Sequence, residues 1–164
     1  MLQRRTFLKV GLAGGALLAA AGAASWFVGR DAEADRREVL DAVIAAMLDG
    51  ALPTAGPQRQ AAIGKARADV QAAIAALAPA TQQELAQLFA LMAIPPTRLV
   101  LTGITGPWHE TDIAEVSATL QNWRTHRLAL LRGAYQGLHD LVTAGWYADE
   151  AHWATIGYPG PPRL

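Results

Sequence analysis

Four histidines and 14 carboxylates are the side chains here that could move protons or hold a metal, because the sequence has no cysteine. Without cysteine there is no thiolate nucleophile, no disulfide, no Fe–S cluster and no C-x-x-C-H haem attachment. His109, His126, His139 and His152 are spread too widely for any two to meet at three or four residues, the spacing that places two imidazoles on one helix face as a metal clamp. His109-Glu110-x-Asp112 gathers an imidazole and two carboxylates into a possible acid–base site. The competing reading gives Thr111 or Asp112 to a helix cap and leaves His109 on the surface. Asp140, Asp149 and Glu150 are candidate acids, but the ordinary reading of these positions is a solvated face and an N-cap. "GITG" at 103–106 lacks the strand and helix of a phosphate loop, and "GLAGG" at 11–15 belongs to an uncharged N-terminal run. No G-x-S-x-G, H-E-x-x-H or dinucleotide fingerprint occurs. The sequence therefore predicts no catalytic residue, metal ligand or cofactor on this chain.

The aromatic residues say more. Trp146, Tyr147, Trp153 and Tyr158 fall within 13 residues, beside Pro159-Gly160-Pro161-Pro162. They either pack the end of the fold or form a partner interface. Large aromatics with a polar edge dominate binding hot spots, and proline-fixed segments lose little entropy on docking.

The elements that position these groups read as helices throughout. The composition is 52% hydrophobic, much of it alanine, the best helix former. Residues 31–49 carry Asp31, Glu33 and Asp35 in the first turns and an apolar stripe at Val39, Leu40, Val43, Ile44, Met47 and Leu48. Gly50 and Pro53 end that helix. A second helix covers about 58–78, with Ile63, Val70, Ile74 and Leu77 on one face and Pro79 as its stop. Thr81-Gln-Gln-Glu84 reads as a capping box opening a third helix to about Ala93, closed by Pro95-Pro96. Residues 97–110 read as a short helical turn and then a long Gly/Pro-marked loop, a length often tied to function. A helix capped near Asp112 presents Ile113, Val116, Leu120 and Trp123. The pattern from Leu128 to Trp146 is either a separate helix or its continuation, and Asp149 caps one short turn. The expected fold is all-α, a single bundle of four to five main helices.

The formal net charge is zero, but three of the 14 basic residues (Arg4, Arg5 and Lys9) stand in the first nine positions. The rest of the chain carries 11 basic against 14 acidic residues and is about −3, which argues against nucleic-acid binding. Val10–Val28 then runs without a charge, weakly apolar and rich in glycine and alanine, past an A-x-A-like site at Ala21-Gly22-Ala23. It is either a cleaved signal or an uncleaved anchor just long enough to span a bilayer. The string QRRTFLK resembles the twin-arginine (Tat) export signal: Arg4, Arg5, Phe7, Leu8 and Lys9 match, and Gln3 replaces the usual Ser or Thr. That resemblance implies Tat translocase as a partner, a periplasmic location and passage as folded cargo.

A second resemblance lies in "LLRGAYQGLHDLVTAGWYADEAHWATIGYPGPP", supported by "VIAAMLDGALP" at 43–53. With Trp123, Arg127, Tyr135, Trp146-Tyr147, Trp153 and Gly157-Tyr158-Pro159-Gly160-Pro161-Pro162, these resemble the small subunits of periplasmic GMC-type FAD-dependent dehydrogenases, akin to gluconate 2-dehydrogenase subunit 3 and the FAD glucose dehydrogenase small subunit. The likeness covers both ends of the mature chain better than its middle. It implies a non-catalytic escort for a flavoprotein with no signal of its own, with FAD on that partner and any haem on a third, cytochrome c subunit. The organisation expected is a signal or anchor over 1–29, a helical domain over 30–156 and a Pro/Gly-rich tail over 157–164. The alternatives are a stand-alone exported enzyme, for which His109 should cluster with acids in a cleft, and a periplasmic binding or scaffold protein.

Overall fold

The computed structural model of the protein describes residues 31–160, with the side chains of 154–156 outside that description. The string at Arg4, Arg5, Phe7, Leu8 and Lys9, the uncharged run behind it, and Pro161 and Pro162 lie outside the described residues. Among the described residues the fold is all-α: α1 (Ala32–Met47), α2 (Gly56–Ala75), α3 (Pro79–Ala93), α4 (Pro95–Thr102), α5 (Ile113–Thr125) and α6 (Ala129–Tyr147). Short 3-10 turns cover Trp108–Glu110 and Glu150–Ile156, and no strand occurs among these residues. Five helices are 13 to 20 residues long, and α4 has 8.

Helix α1 is the hub. Asp31 caps it, its Oδ1 accepting from the N–H groups of Glu33 and Ala34 at 3.0 and 3.2 Å. Val39, Leu40, Val43 and Ile44 are wholly buried. Enclosing each such side chain stabilises the fold by about 1.5–3 kcal/mol. Helices α2, α3, α5 and α6 and the Trp108 turn all pack on α1. Arg67 of α2 reaches both carboxylate oxygens of Asp41 on α1, at 2.6 and 2.5 Å. Burial pushes the Asp41 carboxyl up even so, with Arg67 opposing that shift.

Two junctions, at Pro79 and at Pro95-Pro96, differ from the sequence reading, each for a local reason. Helix α3 starts at Pro79, where the missing N–H costs nothing, so Thr81 is already inside the helix and forms no capping box. Gln82 instead turns back to donate to the carbonyls of Ala75 and Leu77 at 3.1 and 2.8 Å, closing the end of α2. Pro95-Pro96 does more than close α3: it opens α4, whose axis turns by 97°. Gly103, at φ 78°, ends α4 in the left-handed conformation. Helices α5 and α6 are separate, broken at 126–128.

The 103–110 segment is an apolar plug rather than an open loop. Ile104 and Trp108 are 1% and 3% exposed, and the Trp108 indole donates to the Met92 carbonyl at 2.9 Å. Trp123 likewise donates to Leu101 O at 2.9 Å, fastening α4 to α5. Helices α2 and α6 approach closely where Gly145 meets α2: a Cβ at 145 would lie 3.3 Å from the Val70 amide nitrogen.

That contact predicts opposite signs for two glycines of α6. Gly145→Leu overpacks the α2–α6 seam and should destabilise by about 1–3 kcal/mol in urea unfolding. Gly133→Ala is exposed with nothing within 4 Å of its new Cβ, and should stabilise by about 0.5–1 kcal/mol.

Candidate functional site

The C-terminal aromatics form one built unit at the end of α6. The last carbonyls of a helix lack intrahelical donors and need partners. Two rings from the following 3-10 turn supply them. His152 Nδ1 lies 2.7 Å from Trp146 O, and Trp153 Nε1 donates to Tyr147 O at 2.8 Å. A carbonyl only accepts, so Nδ1 of His152 carries the hydrogen. The His152 ring also stacks on the Trp146 indole, with centroids 3.6 Å apart and planes 4° from parallel.

Trp153 then holds the tail. Tyr158 meets it edge-on at 5.2 Å, the Tyr158 N–H donates to Trp153 O at 3.0 Å, and Gly160 crosses the indole so closely that a Cβ would sit 3.4 Å from the ring. Gly157 and Gly160, at φ 71° and 92°, allow this hooked path. The four aromatics split by exposure. Trp146 is core at 4%, and its indole N–H has no hydrogen-bond partner among the described residues. Tyr147 and Trp153 are half-buried, while Tyr158 is 45% exposed and Pro159 is exposed.

The hook is tied to the bundle through Asp149. Its Oδ1 accepts from Ala151 N at 2.9 Å, and its Oδ2 lies 2.9 Å from Lys65 Nζ on α2. Lys65 also reaches Asp69 at 3.1 Å. The hydrogen bond from Lys65 depresses the Asp149 carboxyl, with the Ala151 amide adding to it. The same bond to Asp149, followed by that to Asp69, raises Lys65 above 10.5. Sequence spacing could mark Asp149 as a cap but carries no sign of Lys65, which is distant in the chain.

The histidines are dispersed. His109 Nδ1 lies 3.3 Å from Glu38 and Nε2 3.6 Å from Glu110, with the side chain 59% exposed. Glu38 also lines a cleft of about 320 Å³ with Asp35, Arg98, Thr105 and Trp108. Asp112 does not join His109: it caps α5, accepting from Ala114 N at 2.9 Å, while Thr111 donates to Pro107 O. His126 accepts from Leu128 N at 3.1 Å, and His139 lies 3.4 Å from Asp140. Among the described residues no group of three His, Asp or Glu side chains could hold a metal ion. No single helix among them is long and apolar enough to cross a membrane. No protein-family model matches the sequence, and no curated protein or solved structure matches it either, so the family resemblance stands on the quoted motifs alone.

The Lys65–Asp149 link predicts a pH window. A depressed carboxylate contributes stability that is full above its ordinary value of 3.8 and is lost as pH falls through the lower folded value. Lys65 contributes below 10.5, and its contribution is lost as pH rises through its raised folded value. Asp149→Asn should therefore speed amide exchange in 150–160 at neutral pH. The difference from wild type should vanish below the folded pKa of Asp149. A difference independent of pH would rule out the charged link.

Proposed function

We propose that this chain is a non-catalytic accessory subunit that binds a GMC-type flavin-dependent dehydrogenase, carries it through the Tat translocase as folded cargo and stabilises it in the periplasm. The observation that carries this reading is the hooked tail: the segment bearing the family resemblance is held in one path by Trp153, with Tyr158 and Pro159 outward. A pre-ordered aromatic edge gives up little entropy on docking. Because Trp146 is core, the interface centres on Tyr158, Pro159 and the open edges of Tyr147 and Trp153, continuing into Gly160, Pro161 and Pro162. The string Arg4-Arg5-x-Phe7-Leu8-Lys9 supports the export half of the reading. FAD belongs on the partner and any haem c on a third subunit.

Two experiments separate the halves. Co-expressed with a signal-less flavoprotein partner, the chain should deliver flavin-dependent activity to the periplasm, and Arg4→Lys/Arg5→Lys should abolish that delivery. Unchanged partner export would sink the hitch-hiker mechanism. Truncation after Asp149 should weaken the complex by at least tenfold in Kd while most α-helical circular dichroism remains. Equal loss of helicity would assign the aromatics to folding alone.

A stand-alone enzyme has one observation in its favour, the approach of His109 to Glu38 and Glu110 beside the cleft. It requires turnover by the purified chain that His109→Gln removes.

A further inference from the structure

Two long stretches of the described chain contain no acid, 85–109 and 116–139. The fold brings them together. Thr119 Oγ1 donates to Thr102 O at 3.1 Å and Trp123 Nε1 to Leu101 O at 2.9 Å, so the C-terminal half of α4 lies on the C-terminal half of α5. Just beyond, the chain turns at 126–128 into α6, and that turn is firmly made. His126 Nδ1 accepts from Leu128 N, while Arg132 Nη1 donates to the carbonyls of His126 and Arg127 at 2.6 and 3.1 Å.

This edge is both basic and apolar. Arg124, Arg127 and Arg132 are exposed, and among the described residues none is ion-paired to an acid. Leu99, Val100 and Leu128 are 49%, 83% and 53% exposed, three of the four large apolar side chains left open among the described residues. Leu99 and Val100 immediately precede Leu101, and Leu128 follows Trp123 by five residues, so the Trp123–Leu101 hydrogen bond joins the two stretches that carry them. Helices α3 and α4 together are apolar enough for a membrane span, but their 97° bend prevents them from crossing as one rod, and α4 leaves Leu99 and Val100 exposed.

We infer that this edge rests on an anionic lipid surface, with the arginines on headgroup phosphates and Leu99, Val100 and Leu128 entering the acyl boundary. Charge complementarity selects an anionic partner. The side chains select lipid over protein: leucine and valine are under-represented at protein hot spots, whereas aliphatic insertion beside arginine is how interfacial segments bind bilayers. The uncharged Val10–Val28 run with its basic flank supplies an independent reason for the chain to visit a bilayer. This site does not depend on the escort function.

The absence of cysteine makes a direct test available. Single Val100→Cys, Leu128→Cys and Gln60→Cys variants of the full chain, labelled with an environment-sensitive fluorophore, are titrated with phosphatidylglycerol or phosphatidylcholine vesicles. Labels at 100 and 128 should shift to the blue with phosphatidylglycerol only, and the label at 60 should not move. Adding Arg124→Gln/Arg127→Gln should raise the lipid concentration for half-maximal shift on the order of 25-fold. Vesicle binding without a shift at 100 and 128 would assign all lipid contact to the N-terminal segment and overturn the proposal. So would an equal response to both lipids, a response unaffected by the arginine replacements, or a shift that appears only with the flavoprotein partner.

Discussion

The enclosure of α1 is the constraint on which the rest of this structure depends. Val39, Leu40, Val43 and Ile44 occupy two successive turns and have no exposed surface, so the helix must be covered from several directions. Helices α2, α3, α5 and α6 supply that cover, and Trp108 closes a further side. Once α2 and α6 are set against α1, Gly145 and Val70 fix how closely they approach. That approach brings Lys65 to Asp149 and so fixes where the chain turns after α6. The order of dependence runs from an apolar stripe in the sequence to the position of an exposed tyrosine more than a hundred residues later.

Helix existence and facing were legible because they rest on local periodicity. The stripes on α1, α2, α5 and α6 are regular, and Asp31, Asp112 and Asp149 cap where their spacing from the following amides requires. The misread points are those where one local motif has two physical outcomes. Proline stops a preceding helix and starts a following one with equal ease, which is why Pro79 and Pro95-Pro96 open helices. Thr81 through Glu84 has the chemistry of a capping box, but Pro79 had already begun the helix. The 103–110 segment reads as loop because its glycines and prolines are local, whereas its burial comes from Trp108 reaching Met92 O, a contact 16 residues away.

The C-terminal site was half legible for the same reason. The sequence marks four aromatics and a stiff tail, but whether an indole is core or surface depends on distant partners. Trp146 sits over the core with His152 stacked on it, and Tyr158 is turned outward by Trp153. Nothing near His109 in sequence signals Glu38, and nothing near Asp149 signals Lys65. The aromatic rings at this end serve two ends at once: their N–H groups satisfy the carbonyls that α6 leaves open, and the outermost faces remain available for contact.

On the proposed reading, the helical domain, the twin-arginine-like string and the hooked tail serve a chain that contributes a surface to a partner's reaction. The proposals assign its contacts to three separate stretches: the N-terminal string, the aromatic hook after α6, and the basic, apolar edge where α4 meets the turn into α6. The most direct test of this account is affinity purification of the full chain from the periplasm, with and without its co-expressed flavoprotein, followed by flavin absorbance on the separated chains. The account predicts a stable complex in which FAD and dehydrogenase activity stay with the partner. Recovery of this chain alone, or of flavin-free substrate turnover by it alone, would contradict it.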